Sequence, residues 1–132
     1  MEITNYNTYD INFFLKHYEN YYNNIINYGW NYVLDYYDQK CIITLFNDRM
    51  SQNVNPYDFI ILLAKEGIKK GSINNMKLNA KYIDNEKIMI TCIGSLSFIN
   101  FIDQVISNRN FVDILIITCF NNKIVNQTFN IL

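Results

Sequence analysis

The sequence has few of the residues that mark flexible linkers or metal sites. Its 132 residues include one proline, four glycines and one histidine, and no proline-rich or low-complexity stretch divides them. This length suits one domain, residues 1–132, with a single hydrophobic core. One histidine and three scattered cysteines cannot supply the three or four converging ligands of a zinc site. We therefore expect no metal ion and no cofactor.

Paired cysteines and long apolar runs are also missing. Cys41, Cys92 and Cys119 form an odd set without C-x-x-C spacing, and each lies in an apolar stretch, so we expect reduced core side chains. No apolar run approaches the ~20 residues of a membrane-spanning helix. The first residues lack a basic segment followed by an apolar one, as a secretory signal requires. We expect an intracellular protein of the cytoplasm or nucleus, with no membrane partner.

Charge is scarce and balanced. Only 17% of the residues are charged, the formal net charge is -1, and the pI is near 5.7. Such a chain has no overall field that attracts nucleic acid, and the lysines between residues 65 and 81 are expected to form a solvated face. The abundance of Asn, Ile, Tyr and Lys is typical of AT-rich genomes, such as those of large DNA viruses or protists.

Helical periodicity appears in three segments. In residues 10–26 the apolar side chains recur at three- and four-residue spacing, and Asp10 is a suitable N-cap. Gly29 precedes a shorter segment, residues 30–37, that we also expect to be helical. Asn55 and Pro56 supply an N-cap and a proline at the first helical position, so a third helix is expected from there to residue 67 or 70.

Period-two patterns predict strands in the remainder. Residues 41–46 are β-branched and apolar and form a first strand, with a short partner at 50–53. After Gly71 four more strands are expected, near residues 73–83, 86–98, 111–120 and 123–132. Asp84-Asn85 and Asn121-Asn122 have the chemistry of two-residue hairpins. The predicted order is ααβ(β)αββββ, an α+β fold with a mostly antiparallel sheet.

Two of the predicted strands are apolar on both alternating faces. These are residues 88–93 and 114–120, and such strands need cover on both sides. Three helices cover one face of a curved sheet, which leaves the other face more apolar than a monomer normally exposes. We therefore predict a homodimer packed sheet to sheet. The candidate interface residues are Ile114, Ile116 and Ile117.

Three phrases resemble the nuclear transport factor 2-like family. Phe14-Leu15-Lys16-His17-Tyr18 on the first helix resembles the family's opening F-x-x-H-Y-Y phrase. Residues 92–98 resemble its glycine-containing strand, above all in the mRNA-export cofactor branch. Residues 111–120 with the final phrase, residues 127–132, resemble its closing hairpin. The order and spacing of the phrases, over nearly the whole chain, carry the likeness.

The resemblance implies a cone-shaped fold. In this family a strongly bent sheet wraps around a long helix and leaves a cavity lined by apolar groups. Members act either as dimeric docking modules or as small-molecule enzymes such as dehydratases and isomerases, and fold alone does not choose. One hypothesis is a non-enzymatic dimeric adaptor that docks Phe-containing peptides of the nuclear-transport or mRNA–protein machinery. The other is a small-molecule-binding protein or enzyme that uses the cone.

The enzyme hypothesis depends on polar groups in the cone. The cavity candidates are His17, Tyr18, Tyr22 and Tyr37. His17 is the natural general base, although its likeness to the family's histidine favours a packing role. A catalytic carboxylate should lie beside it, but most of the available acids are expected at turns or on exposed faces: Asp35, Asp38, Asp48 and Asp113. We assign no catalytic residue, and a cone filled by Phe and Tyr would exclude an enzyme.

The adaptor hypothesis depends on surfaces implied by the resemblance. The family's Ran-binding phrase aligns with Phe46-Asn47-Asp48, which keeps an aromatic residue and an acid. Residues 99–103 are apolar where the family carries acids, so salt-bridge recognition of Ran would lose most of its contacts. The nucleoporin contact of the family matches the region of Tyr6 and Tyr9, which are candidates for peptide binding.

An apolar run near residue 100 supplies the last peptide-binding candidates, Phe98, Ile99 and Phe101. If this run extends a strand, its side chains belong to the dimer core. If it is a loop, it is an exposed patch suited to a partner. The sequence leaves both alternatives open.

Overall fold

The computed structural model describes residues 10–47, 50–99 and 104–132, and the structural statements below refer to these residues. Its elements are α1 (Ile11–Tyr28), a 3₁₀ helix (Trp30–Tyr36), β1 (Tyr37–Asn47), β2 (Met50–Val54), α2 (Pro56–Lys65), β3 (Ile73–Tyr82), β4 (Lys87–Ile99), β5 (Ile106–Thr118) and β6 (Lys123–Ile131). The expected α+β class and element order are confirmed. Tyr6, Tyr9, Asp48 and Phe101 lie outside the described residues.

Side-chain caps determine where the two α-helices begin. The Asp10 carboxylate accepts a hydrogen bond from the N–H of Asn12 at 2.9 Å. Asn55 does the same for the N–H of Asp58 at 2.8 Å, and Pro56 occupies the first turn of α2. These caps satisfy N–H groups that have no partner inside the helix. Both predicted helix starts are thus confirmed.

The strands form one six-stranded sheet in the order β2-β1-β6-β5-β4-β3. β1 and β6 are parallel, and the other neighbouring strands are antiparallel. β5 begins earlier than expected, because it pairs with β4 as far as Ile99 opposite Ile106. Phe98 and Ile99 therefore belong to an extended strand rather than to a loop.

The turn between β3 and β4 is longer than the two residues expected. The carboxylate of Asp84 accepts hydrogen bonds from the N–H groups of Glu86 and Lys87 at 2.8 and 2.9 Å. This local bonding stabilises a wider turn, residues 83–86. In the turn before β6, Asn122 has a φ of 55°, a left-handed conformation that asparagine tolerates.

The core lies between α1 and the concave face of the sheet. α1 contributes Phe14, Tyr18, Tyr21, Tyr22 and Ile25, all buried. The three cysteines are free and buried, in agreement with the expected reduced core residues. Within the described ranges, no helix is long and apolar enough to span a membrane.

Replacing Gly67 by alanine should destabilise the fold more than replacing Gly71. Both glycines have a φ of +79°, where a residue with a Cβ costs roughly 1–2 kcal/mol. At Gly67 the Cβ would also lie 2.5 Å from the carbonyl oxygen of Ile99, whereas at Gly71 no atom lies within 4 Å. We expect Gly67→Ala to lose at least about 1 kcal/mol more than Gly71→Ala in urea denaturation. Equal losses would contradict this close approach of backbone segments.

Candidate functional sites

A chain of hydrogen bonds runs through the centre of the core. Asp113 on β5 is fully buried and accepts hydrogen bonds from the Tyr22 hydroxyl at 2.6 Å and from the Gln127 amide at 2.8 Å. Tyr37 donates to Oε1 of Gln127 at 2.6 Å. Its hydroxyl also lies 2.6 Å from that of Tyr21, so Tyr21 is the donor in that pair. We call these five residues the buried polar cluster.

Burial shifts the protonation of this cluster. It raises the pKa of Asp113 from 3.8 to about 7, although the hydrogen bonds from Tyr22 and Gln127 act in the opposite direction. Burial likewise raises the pKa values of Tyr21, Tyr22 and Tyr37 well above 10. The charged form of each group loses its hydration inside the protein, which explains the common direction. At neutral pH the phenols keep their protons, and Asp113 binds its proton far more tightly than an exposed carboxyl group does.

Aromatic rings pack the rest of the cone. Trp30 and Phe59 meet edge to face with ring centroids 5.7 Å apart, and Phe111 stacks on Phe129 at 5.5 Å. None of these four side chains is more than 5% exposed. These aromatic side chains therefore pack closely against one another inside the cone.

His17 lies one helical turn before Tyr21 on α1 and is not a member of the buried polar cluster. Its ring packs against Phe13, Tyr18 and Tyr36, with centroids 6.1, 5.1 and 4.9 Å away. Burial and the nearby charge of Lys123 lower its pKa below 6.5. Across the described part of the chain, no carboxylate hydrogen-bonds to His17. The histidine is placed as a packing residue, without the partner that a general base needs.

Of the four tyrosine and histidine cavity candidates, Tyr22 and Tyr37 belong to the buried polar cluster. Tyr18 is also buried, and its hydroxyl donates instead to the backbone carbonyl of Asn122 at 3.1 Å. The structure therefore joins Tyr22 and Tyr37 in one hydrogen-bonded cluster, whereas the Tyr18 hydroxyl bonds to the backbone and His17 packs among aromatic rings.

Asp113 corrects the sequence-based view of the acids. The sequence analysis placed most acids at turns or on exposed faces, but Asp113 lies in the middle of β5 and is fully buried. It shares its alternation phase with the buried Phe111 and Leu115, just as Gln127 shares that of Phe129. A polar residue in phase with core residues was the signal for this cluster. Sequence reasoning missed it, and with it the roles of Gln127 and Tyr21.

A groove lies between α2 and the β1–β2 hairpin, with a cavity volume of about 240 Å³. We call it the hairpin groove. Leu45 and Leu62 supply its apolar groups, and the amide of Asn47 donates to Glu66 at 2.9 Å. The remaining lining residues are Gln52 and Lys65. The groove thus combines an apolar surface with polar groups.

Phe46 does not share this groove with Asn47. Side chains alternate along a strand, so Phe46 lies on the opposite, outer face of β1, where it is 41% exposed. Phe46 and Asn47, which align with the family's Ran-binding phrase, therefore lie on two different surfaces. Its third member, Asp48, lies outside the described residues.

The outer face of the sheet carries a strip of apolar side chains on β4 and β5. We call it the outer strip: Met89, Ile93, Val112, Ile114 and Ile116. Met89 pairs with Ile116 and Ile93 with Val112, so the members are neighbours across the two strands. Ile93 is 47% exposed. Ile117 points the other way and is fully buried in the core, so it cannot join an interface on this face.

The peptide-binding candidates at the end of β4 are partly buried. Phe98 packs against the hydrophobic core, and Ile99 lies beside Gly67 at the end of α2. Phe98 is thus partly buried against the core, and together with Ile99 it also lines a cavity of about 200 Å³. In residues 10–47, 50–99 and 104–132 no group of His, Cys, Asp or Glu side chains is arranged to hold a metal ion.

Comparisons with known proteins place this architecture among solved structures. No protein-family model matches the sequence, and no curated protein matches it. A ketosteroid isomerase-like protein from Erwinia carotovora atroseptica has a TM-score of 0.60 at 8% identity, covering 92% of this chain and 93% of that one. The protein thus has the nuclear transport factor 2-like cone fold.

Two further solved structures are similar to this fold. The association domain of Caenorhabditis elegans CaMKII has a TM-score of 0.56 at 10% identity and covers 87% of this chain and 90% of that one. A nuclear transport factor 2-like protein of unknown function from Shewanella oneidensis has a TM-score of 0.50 at 17% identity, covering 92% and 96%. At these identities the likeness concerns the fold, which isomerase-like proteins and an association domain share.

The stability of the cone should fall as the pH rises towards neutral. Because the folded-state pKa of Asp113 is raised above its ordinary value, the folded protein binds this proton more tightly than the unfolded chain does. The stabilisation that Asp113 gives by binding this proton is complete below about pH 4 and is lost as the pH passes about 7. The total loss is up to about 4 kcal/mol, since each pKa unit corresponds to about 1.4 kcal/mol.

The matched variant for this prediction is Asp113→Asn, which keeps the shape but cannot ionise. Urea unfolding between pH 5 and pH 8 should show a falling free energy for the wild type and a flatter profile for the variant. His17 titrates in both proteins, so it cancels in the difference. Parallel profiles would show that Asp113 keeps an ordinary pKa in the folded protein.

Proposed function

We propose that the protein is a non-enzymatic, dimeric binding module that docks a short peptide through an apolar side chain. The observation that carries this proposal is the closed buried polar cluster. Asp113, Tyr21, Tyr22 and Gln127 are fully buried. Tyr22 and Gln127 donate to Asp113, and Tyr21 bonds to Tyr37, which donates to Gln127. A catalytic cavity needs polar groups that face a substrate, whereas these face only protein.

The outer strip supports the dimer. Its five apolar members lie on two paired strands, with Thr91 between Met89 and Ile93. Polar positions flank the strip: Lys77 and Lys81 on β3, and Asn126 and Asn130 on β6. A contiguous apolar strip with polar edges is typical of a protein interface. Two copies related by a two-fold axis would bury strip against strip. A fold neighbour described as an association domain agrees with an assembly role.

The hairpin groove supports the peptide-docking part of the proposal. Its volume of about 240 Å³ lies below the ~300–1,000 Å³ of pockets that enclose drug-sized ligands. It suits one side chain, with Leu45 and Leu62 as the apolar contacts and Asn47 and Glu66 able to bond a peptide backbone. The resemblance found in the sequence extends this proposal to Phe-containing peptides of the nuclear-transport or mRNA–protein machinery.

Ile116→Asp should convert the dimer into a folded monomer. The carboxylate would lie in the middle of the outer strip, and burying it without a partner costs several kcal/mol. Because Ile116 points away from the core, the isolated fold should tolerate the change. Analytical ultracentrifugation gives the mass, and circular dichroism shows whether the fold remains.

The matched control for the dimer is Asn23→Asp, which adds the same charge on the exposed face of α1. It should leave the dimer intact. A wild-type protein that is already monomeric at micromolar concentration, or an Ile116→Asp protein that still dimerises, would contradict the strip-to-strip interface.

Leu62→Gln should weaken peptide binding roughly tenfold or more, the equivalent of about 1.4 kcal/mol. The substitution makes the floor of the hairpin groove polar. Ile61→Gln is the control, because Ile61 is the preceding residue of α2, is 41% exposed and does not line the groove. Fluorescence polarisation with a labelled Gly-Leu-Phe-Gly repeat peptide measures the affinity, and the same peptide with serine for phenylalanine should not bind. Equal affinities for both variants would exclude this groove as the docking site.

A further inference from the structure

A second cavity lies near the start of β1, at the opposite end of that strand from the hairpin groove. It has a volume of about 650 Å³ and opens between the end of the 3₁₀ helix, the start of β1, the N-terminus of α2 and the turn before β6. We call it the basal cleft. The hairpin groove lies near the end of β1, so the length of that strand separates the two sites. The volume is within the range of small-molecule sites.

Tyr37 gives the basal cleft a rigid wall. It lines the cleft, yet it is only 8% exposed, and its hydroxyl is bonded to Tyr21 and Gln127 inside the core, both at 2.6 Å. A ligand therefore meets the ring of Tyr37 and not its hydroxyl. Tyr57 on α2 lines the same cleft and is 66% exposed. Aromatic rings attract cations through their faces.

Charges of both signs line the same cleft. Asp35 and Asp38 bring carboxylates, and Lys123 brings an ammonium group. The N–H of Lys40 donates to the Asp38 carboxylate at 2.9 Å, and the Lys123 ammonium donates to the backbone carbonyl of Asp35. Backbone groups thus hold the side chains of Asp38 and Lys123. Within the described residues neither forms an ion pair, although Asp38 and Lys123 are partly buried.

We propose that the basal cleft binds a small zwitterion of the amino-acid class. Its ammonium group would meet the Asp38 carboxylate and the two tyrosine rings, and its acidic group would meet Lys123. A simple cation would leave Lys123 unpaired beside it, and a simple anion would be repelled by the two carboxylates. A ligand with both charges offers an ammonium group to Asp38 and an acidic group to Lys123, while the exposed carboxylate of Asp35 stays in water. This site is separate from the peptide-docking proposal and does not depend on it.

The test is a calorimetric titration of the full chain with glycine betaine and with each common free amino acid. Choline and acetate serve as singly charged comparisons. At least one zwitterion should bind saturably, and at least fivefold more tightly than choline or acetate. Failure of every zwitterion to bind at millimolar concentration would overturn the proposal, as would tighter binding of choline or acetate.

Two conservative variants locate the binding site. Asp38→Asn keeps an acceptor for the Lys40 N–H, and Lys123→Gln keeps a donor near the Asp35 carbonyl, so each mainly removes a charge. Each should weaken zwitterion binding at least fivefold, whereas Glu19→Gln on α1 and Lys81→Gln on β3 should leave it unchanged. Circular dichroism checks that all four remain folded. Unchanged binding in both cleft variants would place the ligand elsewhere and refute the assignment.

Discussion

The hydrogen bond from Tyr22 to the buried carboxyl group of Asp113 sets how α1 sits against the sheet. A buried acid is costly unless its oxygens are bonded, and here one oxygen depends on α1 and the other on Gln127 of β6. Tyr37 and Tyr21 extend the same bonding to β1 and back to the helix. Moving the helix would leave several polar groups unpaired at once, so the cluster favours one arrangement of the core.

This arrangement bears directly on function. In a cone whose polar groups face an empty cavity, those groups are free to bind or activate a ligand. Here they bond to one another, and Trp30, Phe59, Phe111 and Phe129 occupy the neighbouring space. Outside this core lie the outer strip on the convex face, the hairpin groove at one end of β1 and the basal cleft at the other.

Some features of individual residues were predictable from the sequence, and others were not. The caps at Asp10 and Asn55 were predictable because a cap bonds to N–H groups two or three residues away. The inward phase of β5 was not predictable, because Ile114, Ile116 and Ile117 are equally apolar. Asp113 lies in phase with Phe111 and Leu115, but because both phases of β5 are apolar this signal did not show from the sequence which face is buried. The length of β5 was missed because only its pairing with β4 continues the strand back to Ile106.

By itself the sequence determined the α+β class, the helix starts, the alternation of the strands and the free cysteines, since these depend on residues close together in the chain. Only the tertiary structure decided that Tyr22 and Asp113 meet although they are 91 positions apart. It also decided that Phe46 and Asn47 face opposite sides and that three distant segments, residues 34–39, 55–57 and 121–123, form the basal cleft. Such contacts form only once the sheet closes around α1, because that closure brings groups together that no local pattern connects.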